Sequence, residues 1–131
     1  MTAPAAGGPL AAALASLAEL DGVASEFKGM VSVTLPKHRI VEALEAVKAA
    51  GLVMLTDIFG IDYLTYPGHR GKRFAVVYNV HDISGAARLF LRVELDDGES
   101  LPTATEVWPG ANFMERETYD MFGVVFEGHP N

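Results

Sequence analysis

Residues 114 to 123 read MERETYDMFG, a stretch that sets Glu115, Arg116, Glu117 and Asp120 within six positions, directly against Met121, Phe122 and Gly123. Three chemistries are open to such a set: acid and base work by paired carboxylates, ligation of a cation, or recognition of another protein. On a helix, at about 100° per residue, Arg116, Asp120, Phe113 and Glu117 share an arc of about 100°. Met114, Thr118, Met121 and Phe122 take the other side. Glu115 sits nearer that apolar side, where a capping role would satisfy it.

Each chemistry asks for something further. The plainest account of the polar arc is a solvated helix face, with Arg116 and Asp120 forming an i, i+4 pair that contributes about 0.3–0.5 kcal/mol. Two features favour docking instead. Phe113 lies inside the charged arc, and three acids stand against one base, which suits a partner that brings its own Lys or Arg. A stand-alone carboxylate hydrolase is the competing reading, and it needs Glu117 and Asp120 to face each other across a substrate with their pKa values pushed apart. They stand one turn apart on one face, and nothing else in the sequence marks a cleft opposite them. As for metals, His38, His69, His81 and His129 show neither H-x-x-x-H nor H-x-H spacing, so no known ligand set is completed. His81, beside Asp82, reads as a structural imidazole.

The chain has no cysteine, which excludes disulfides, thiolate zinc sites, cysteine-ligated iron–sulfur clusters and cysteine nucleophiles from it. GHRGKR, residues 68–73, is the only basic cluster. It lacks the full phosphate-loop pattern and reads as a hairpin tip or a contact for an acidic partner. No G-x-G-x-x-G fingerprint marks a nucleotide site. A formal charge of −7 argues against nucleic acid as the main partner and against adsorption to anionic lipid.

The elements that must position these residues follow from 131 residues, 50% hydrophobic and 21% charged, which is one globular domain by length and composition. Residues 1–8 are rich in Ala, Gly and Pro and are expected to be loose, with a single domain over 9–131. Pro9 opens a helix, in which Leu10, Ala13, Leu14 and Leu17 form a buried stripe, and Asp21-Gly22 ends it. Although the first 20 residues resemble the apolar stretch of a signal peptide, no cation precedes Lys28, so the n-region of a signal peptide is missing. No run approaches the ~18 apolar residues of a membrane span. A soluble intracellular protein with no direct membrane insertion is expected.

Two alternating strands, about 23–28 and 30–35, join at Lys28-Gly29. A second helix over about 38–50 buries Ile40, Ala43, Leu44 and Val47. LVMLTD and IDYLTY read as strand material interrupted at Gly60. FAVVYNVHD and RLFLRVELDD are clear strands; in the latter Leu89, Leu91, Val93 and Leu95 share one face, opposite Arg88, Phe90, Arg92 and Glu94. Thr103-x-x-Glu106 predicts a capping box and a short helical turn broken at Pro109-Gly110. Asn112-x-x-Glu115 predicts a second cap, opening a helix over about 113–122 with Gly123 at its C-cap. Trp108, the only tryptophan, is expected to plug a core edge. The order α-β-β-α-β-β-β-α predicts an α+β fold of two layers, helices packed on a mainly antiparallel, mixed sheet.

WPGANFMERETYDMFGVVFEGHP closely resembles the signature of the C subunit of proton-pumping NADH:quinone oxidoreductase, respiratory complex I. The signature reads E-R-E, two free positions, an acid, two apolar residues, six free positions, then His or Lys. Glu115, Arg116, Glu117, Asp120, Met121, Phe122 and His129 fill it. LTDIFGIDYLTYP followed by FAVVYNV is also similar to the family, less specifically. The family signature continues beyond Asn131 with a basic residue and an aliphatic pair, so a truncated or short form is expected.

The resemblance implies a compact α+β scaffold in the hydrophilic peripheral arm, on the cytoplasmic side of the cell membrane. It implies no cofactor on this chain, with flavin and iron–sulfur clusters in partner subunits that carry electrons from NADH to quinone, coupled to proton translocation. The quinone-site D subunit and the cluster-bearing subunits are the implied partners. Phe113, Glu115, Arg116, Glu117, Asp120, Met121, Phe122 and His129 are the expected interface. The equivalent subunit of a membrane-bound hydrogenase, or of another quinone-linked dehydrogenase, is the related alternative.

Overall fold

Three helices lie on one face of a five-stranded sheet in the computed structural model, which describes residues 8–130. The stretch expected to be loose falls outside the described residues except for Gly8, which begins the first helix, α1 (Gly8–Ala18). Proline suits the first turn because its missing N–H would have had no helical partner there. Ala13 and Leu17 of the expected stripe are fully buried, with Leu10 and Leu14 packed at the core margin. The helix stops before Asp21: Gly22 N–H turns back to Leu17 O at 2.9 Å. A side chain at Gly22 would meet that carbonyl oxygen at 2.7 Å, so only glycine fits the turn.

Strands β1 (Val23–Phe27) and β2 (Met30–Thr34) form the expected hairpin. Its two turn residues, Lys28 and Gly29, both have positive φ, 52° and 81°, as a tight two-residue hairpin turn requires. A short 3₁₀ turn, Lys37–Arg39, leads into α2 (Ile40–Ala49). Ile40, Ala43, Leu44 and Val47 are all fully buried, so the apolar stripe of α2 lies where periodicity put it.

The expected break at Gly60 does not occur. β3 (Met54–Asp62) runs through it as one strand, and Tyr63 onward belongs to the loop before β4 (Phe74–His81). Gly60 is used for its missing side chain: a Cβ there would stand 2.7 Å from the ring of Phe122. β5 (Arg88–Leu95) alternates as expected, with Leu89, Leu91, Val93 and Leu95 fully buried. At about 1.5–3 kcal/mol for each fully buried large aliphatic side chain, this row is a main source of stability.

The spatial order is β1-β2-β5-β4-β3. All neighbours are antiparallel except β2 and β5, which run parallel. The sheet is therefore mixed and mainly antiparallel, as the element order implied. The helices cover the face that carries Leu89 to Leu95, together with Ile58, Val76, Tyr78 and Val80. The register sets Phe90 opposite Ser32 and Asn79, and Arg92 opposite Thr34 and Val77, so these lie on the other face.

Two short elements were not legible in the sequence. β6 (Leu101–Pro102) pairs in parallel with β7 (Phe126–Glu127), and the last helix, α3 (Ala111–Phe122), lies between them in the chain. The first expected cap forms in part and the second does not form. Thr103 accepts from Thr105 N–H, as an N-cap does, at the start of a turn that closes from Val107 and Trp108 N–H onto Ala104 O, whereas Gly110 is at the N-cap of α3 with no side-chain cap. Asn112 lies inside the helix, and Glu115 is buried with Thr103 as its partner instead of reaching back to a cap. The C-terminal end is as expected, with Gly123 left-handed at φ 75° and its N–H on Tyr119 O. Trp108 plugs the core edge, and its ring N–H donates to Val53 O at 2.9 Å. Lys48 crosses the same ring at 5.3 Å and donates to Val107 O.

Candidate functional site

The helix α3 is fastened to the domain through three residues of the signature, Phe122, Glu115 and His129. Phe122 lies on Gly60 of β3. Glu115, expected on a docking surface, is fully buried instead, and it ties α3 to the segment after β6. Thr103 Oγ donates to its Oε1 and Ala104 N–H to its Oε2, each at 2.6 Å. Burial lifts the Glu115 carboxyl above its ordinary range, while those two bonds and the nearby His129 pull part of the way back. The same burial, with the charge of Glu115 added, raises the Tyr78 hydroxyl far above its usual value. Thr118, also buried, bonds back to Met114 O within the helix. His129 is half-buried, with Nε2 2.9 Å from Asn112 O.

The eight residues expected at an interface thus divide. Glu115, Phe122 and His129 turn inward and hold the helix. Phe113, Arg116, Glu117, Asp120 and Met121 remain exposed. Met121, placed on the apolar side of the helix by its angle, is 75% exposed, and Phe113 is 68% exposed. The anticipated Arg116–Asp120 pair is not made. Every Lys or Arg ion pair among the described residues lies between positions 37 and 99.

Beside α3 runs a groove of about 680 Å³. Glu115, Arg116, Tyr119 and Asp120 line it from the helix, and Val125, Phe126, Glu127, Gly128 and His129 line it from the segment that forms β7. Five of these were missed in the sequence: Tyr119, Val125, Phe126, Glu127 and Gly128. Tyr119 and Val125 are 53% and 51% exposed, and Glu127 accepts from Ser100 Oγ. No sequence signal marks the groove, because it depends on a pairing of two strands of two residues each. Such contacts leave no periodicity.

The other candidates resolve differently. A catalytic pair would need Glu117 and Asp120 in one cleft, and the groove takes Asp120 without Glu117. The described residues contain no group of three His, Cys, Asp or Glu arranged to hold a metal ion. His81 Nδ1 meets Asp82 O at 2.7 Å, a structural role. In the basic loop, Lys72 reaches Glu99 and Asp96, and Arg73 reaches Asp62 and Asp97. His69 stacks on Tyr63 with ring centroids 4.0 Å apart. That loop is satisfied within the chain, apart from the exposed Arg70. No helix among the described residues is long and apolar enough to cross a membrane.

Comparison with known proteins agrees with the signature. NADH-quinone oxidoreductase subunit 5 of Thermus thermophilus is 48% identical over 109 residues, which cover 79% of this chain and 53% of that protein. A solved structure described as Nqo5 of the trypsin-resistant fragment (1-134) superposes with a TM-score of 0.86 at 42% identity, covering 94% of this chain and 98% of the other. The C/D subunit of the NADH-quinone oxidoreductase of Bdellovibrio bacteriovorus is 47% identical over 77 residues, 59% of this chain and 13% of that protein. The chain spans about half the length of the Thermus relatives it matches. The model of the family described as respiratory-chain NADH dehydrogenase, 30 Kd subunit, matches residues 33–131, and the chain belongs to that family.

Proposed function

We propose that this chain is a non-catalytic scaffold of the peripheral arm of an NADH–quinone oxidoreductase, and that it docks through the outer face of α3. The observation that carries this reading is the division of the signature. Glu115 and Phe122 fix the helix to the domain, while Phe113, Arg116, Glu117, Asp120 and Met121 stay exposed and unpaired among the described residues. An exposed aromatic and methionine beside unmatched charges is the composition of an interface. The redox steps would belong to flavin, iron–sulfur and quinone sites on partner subunits, with this chain on the cytoplasmic side of the membrane.

The quinone-site D subunit is the first partner to test, since the Bdellovibrio relative is a joint C/D protein. The equivalent subunit of a hydrogenase has less support, because the named relatives belong to NADH–quinone oxidoreductases. The test is co-purification of the chain with the quinone-site subunit from membranes, comparing the native sequence with Arg116→Ala/Asp120→Ala. Recovery should fall about tenfold or more, as truncating charges that become buried at an interface does, with the melting temperature of the isolated domain unmoved. Undiminished recovery, or an equal loss of melting temperature, would refute the docking role.

A further inference from the structure

Within the surface assigned to docking, the groove beside α3 has a narrower chemistry than the face as a whole. Its carboxylates are Glu115 at the floor, Asp120 on the helix and Glu127 on β7. Glu115 is committed to Thr103 and Ala104. Glu127 uses one oxygen, Oε2, to accept from Ser100. Asp120 makes no hydrogen bond or ion pair among the described residues, and no Lys or Arg among them pairs with any of the three. Across the same groove, Tyr119 and Val125 expose apolar surface in place of contacts within the domain.

The volume, about 680 Å³, lies in the range of sites that bury a drug-sized ligand, roughly 300–1,000 Å³. It suits a short run of extended chain better than a helix, which is about 10–12 Å across with its side chains. Charge decides the side chain that enters. Asp120 and Glu127, with which no Lys or Arg of the described residues pairs, attract a positive group, and arginine fits better than lysine because its planar fork can donate to two acceptors and its face can stack on an aromatic ring. Tyr119 supplies that ring. Arg116 and His129 share the lining with the three acids, so the excess of negative charge is small and suits a segment with a single cation.

We propose that the groove between α3 and β7 receives an extended segment of a partner subunit that places one arginine between Asp120 and Glu127, with an apolar residue against Tyr119 and Val125. This rests on the docking reading and adds the partner's chemistry to it. The test uses the isotopically labelled chain titrated with the peptide acetyl-Leu-Arg-Leu-amide and with its citrulline counterpart, which keeps the shape and removes the charge. Saturable amide shifts should concentrate at Tyr119, Val125 and Gly128. Affinity should fall about tenfold for the citrulline peptide, for Asp120→Asn and for Glu127→Gln, with melting temperature confirming that each variant is folded. Equal binding of the citrulline peptide, shifts centred on residues 68–73, or no saturable shift up to about 10 mM would overturn the proposal. Co-purification with the quinone-site partner alongside a failed titration removes only the arginine site. A successful titration without co-purification removes only the choice of partner.

Discussion

At the hairpin end of the sheet, Arg73 donates to both oxygens of Asp62 at 3.0 Å and reaches Asp97, while Lys72 bridges Glu99 and Asp96. Arg92 closes the cluster on Glu94 and the hydroxyl of Tyr63. On α3, Arg116 and Asp120 stand four positions apart, well placed for a pair, and make none. The two regions draw on the same residue types. What separates them is the backbone beneath: the end of the sheet gathers acids and bases from strand ends and the loops beside them into mutual reach, whereas one helix offers only its own i, i+4 neighbours, a contact of about 0.3–0.5 kcal/mol. A charged surface that its own fold has matched gives a partner little to do. One left unmatched, with Phe113 and Met121 beside it, has its strongest interaction still available.

Glu115 is the exception on α3, and the largest expected effect breaks the comparison there. Glu115→Ala leaves the Ala104 N–H buried without an acceptor and the Thr103 hydroxyl with only Thr105 Oγ1 to turn to, which costs about 3 kcal/mol. For a domain of this size that is a fall of roughly 10 °C in melting temperature. Thermal unfolding of the isolated chain checks it. A fall no larger than that caused by Asp120→Ala would show that α3 is held by Phe122 and the apolar contacts alone.

The next effect is in pH dependence, and its sign differs between the two regions. Glu99 accepts from Asp96 N–H, Lys72 and Lys37, and these hold its carboxyl down at about 2 against an ordinary 4.5. The unfolded chain takes up that proton first as pH falls, so the stability Glu99 contributes is present above 4.5 and lost as pH drops toward about 2. Glu115 is raised by burial from the same ordinary 4.5. Its contribution is fully present below 4.5 and is lost as pH rises through its folded value. Denaturant midpoints measured across pH should therefore show Glu99→Gln flattening the acid limb. Glu115→Gln should remove a slope of opposite sign above 4.5. Matching slopes in the two variants would sink the contrast.

Much of the scaffold was legible because it rests on periodicity. The stripes of α1 and α2 and the alternation of β5 are burial written at periods of about 3.6 and 2, and tertiary packing obeyed them. Gly60 and the expected cap at Asn112 were misread because their meaning is tertiary. Gly60 reads as a stop until Phe122 is known to need its space, and Glu115 reads as half of a local cap until burial brings it to Thr103. The exposed arc of α3 followed from helical angles. Its groove did not, since Val125 and Glu127 approach the helix only through the brief pairing of β6 with β7. The signature carried the family, but not which of its residues face inward.

The smallest expected effect tests the comparison most directly. Asp62→Asn and Asp120→Asn make the same chemical change in the two regions. At Asp62 the change removes the anion that Arg73 grips with two parallel hydrogen bonds, leaving Arg73 with Asp97 alone. The melting temperature should fall modestly, and the fall should shrink as added salt screens the pair. At Asp120 no cation of the described chain is lost, and one negative charge is removed from a protein of net charge −7. The melting temperature should hold or rise slightly, since like-charge repulsion on the folded state is relieved. Differential scanning fluorimetry of the two variants at low and high salt gives the answer. A salt-sensitive loss at Asp120 equal to that at Asp62 would mean that α3 already satisfies its own charges and has no electrostatic reason to seek a partner.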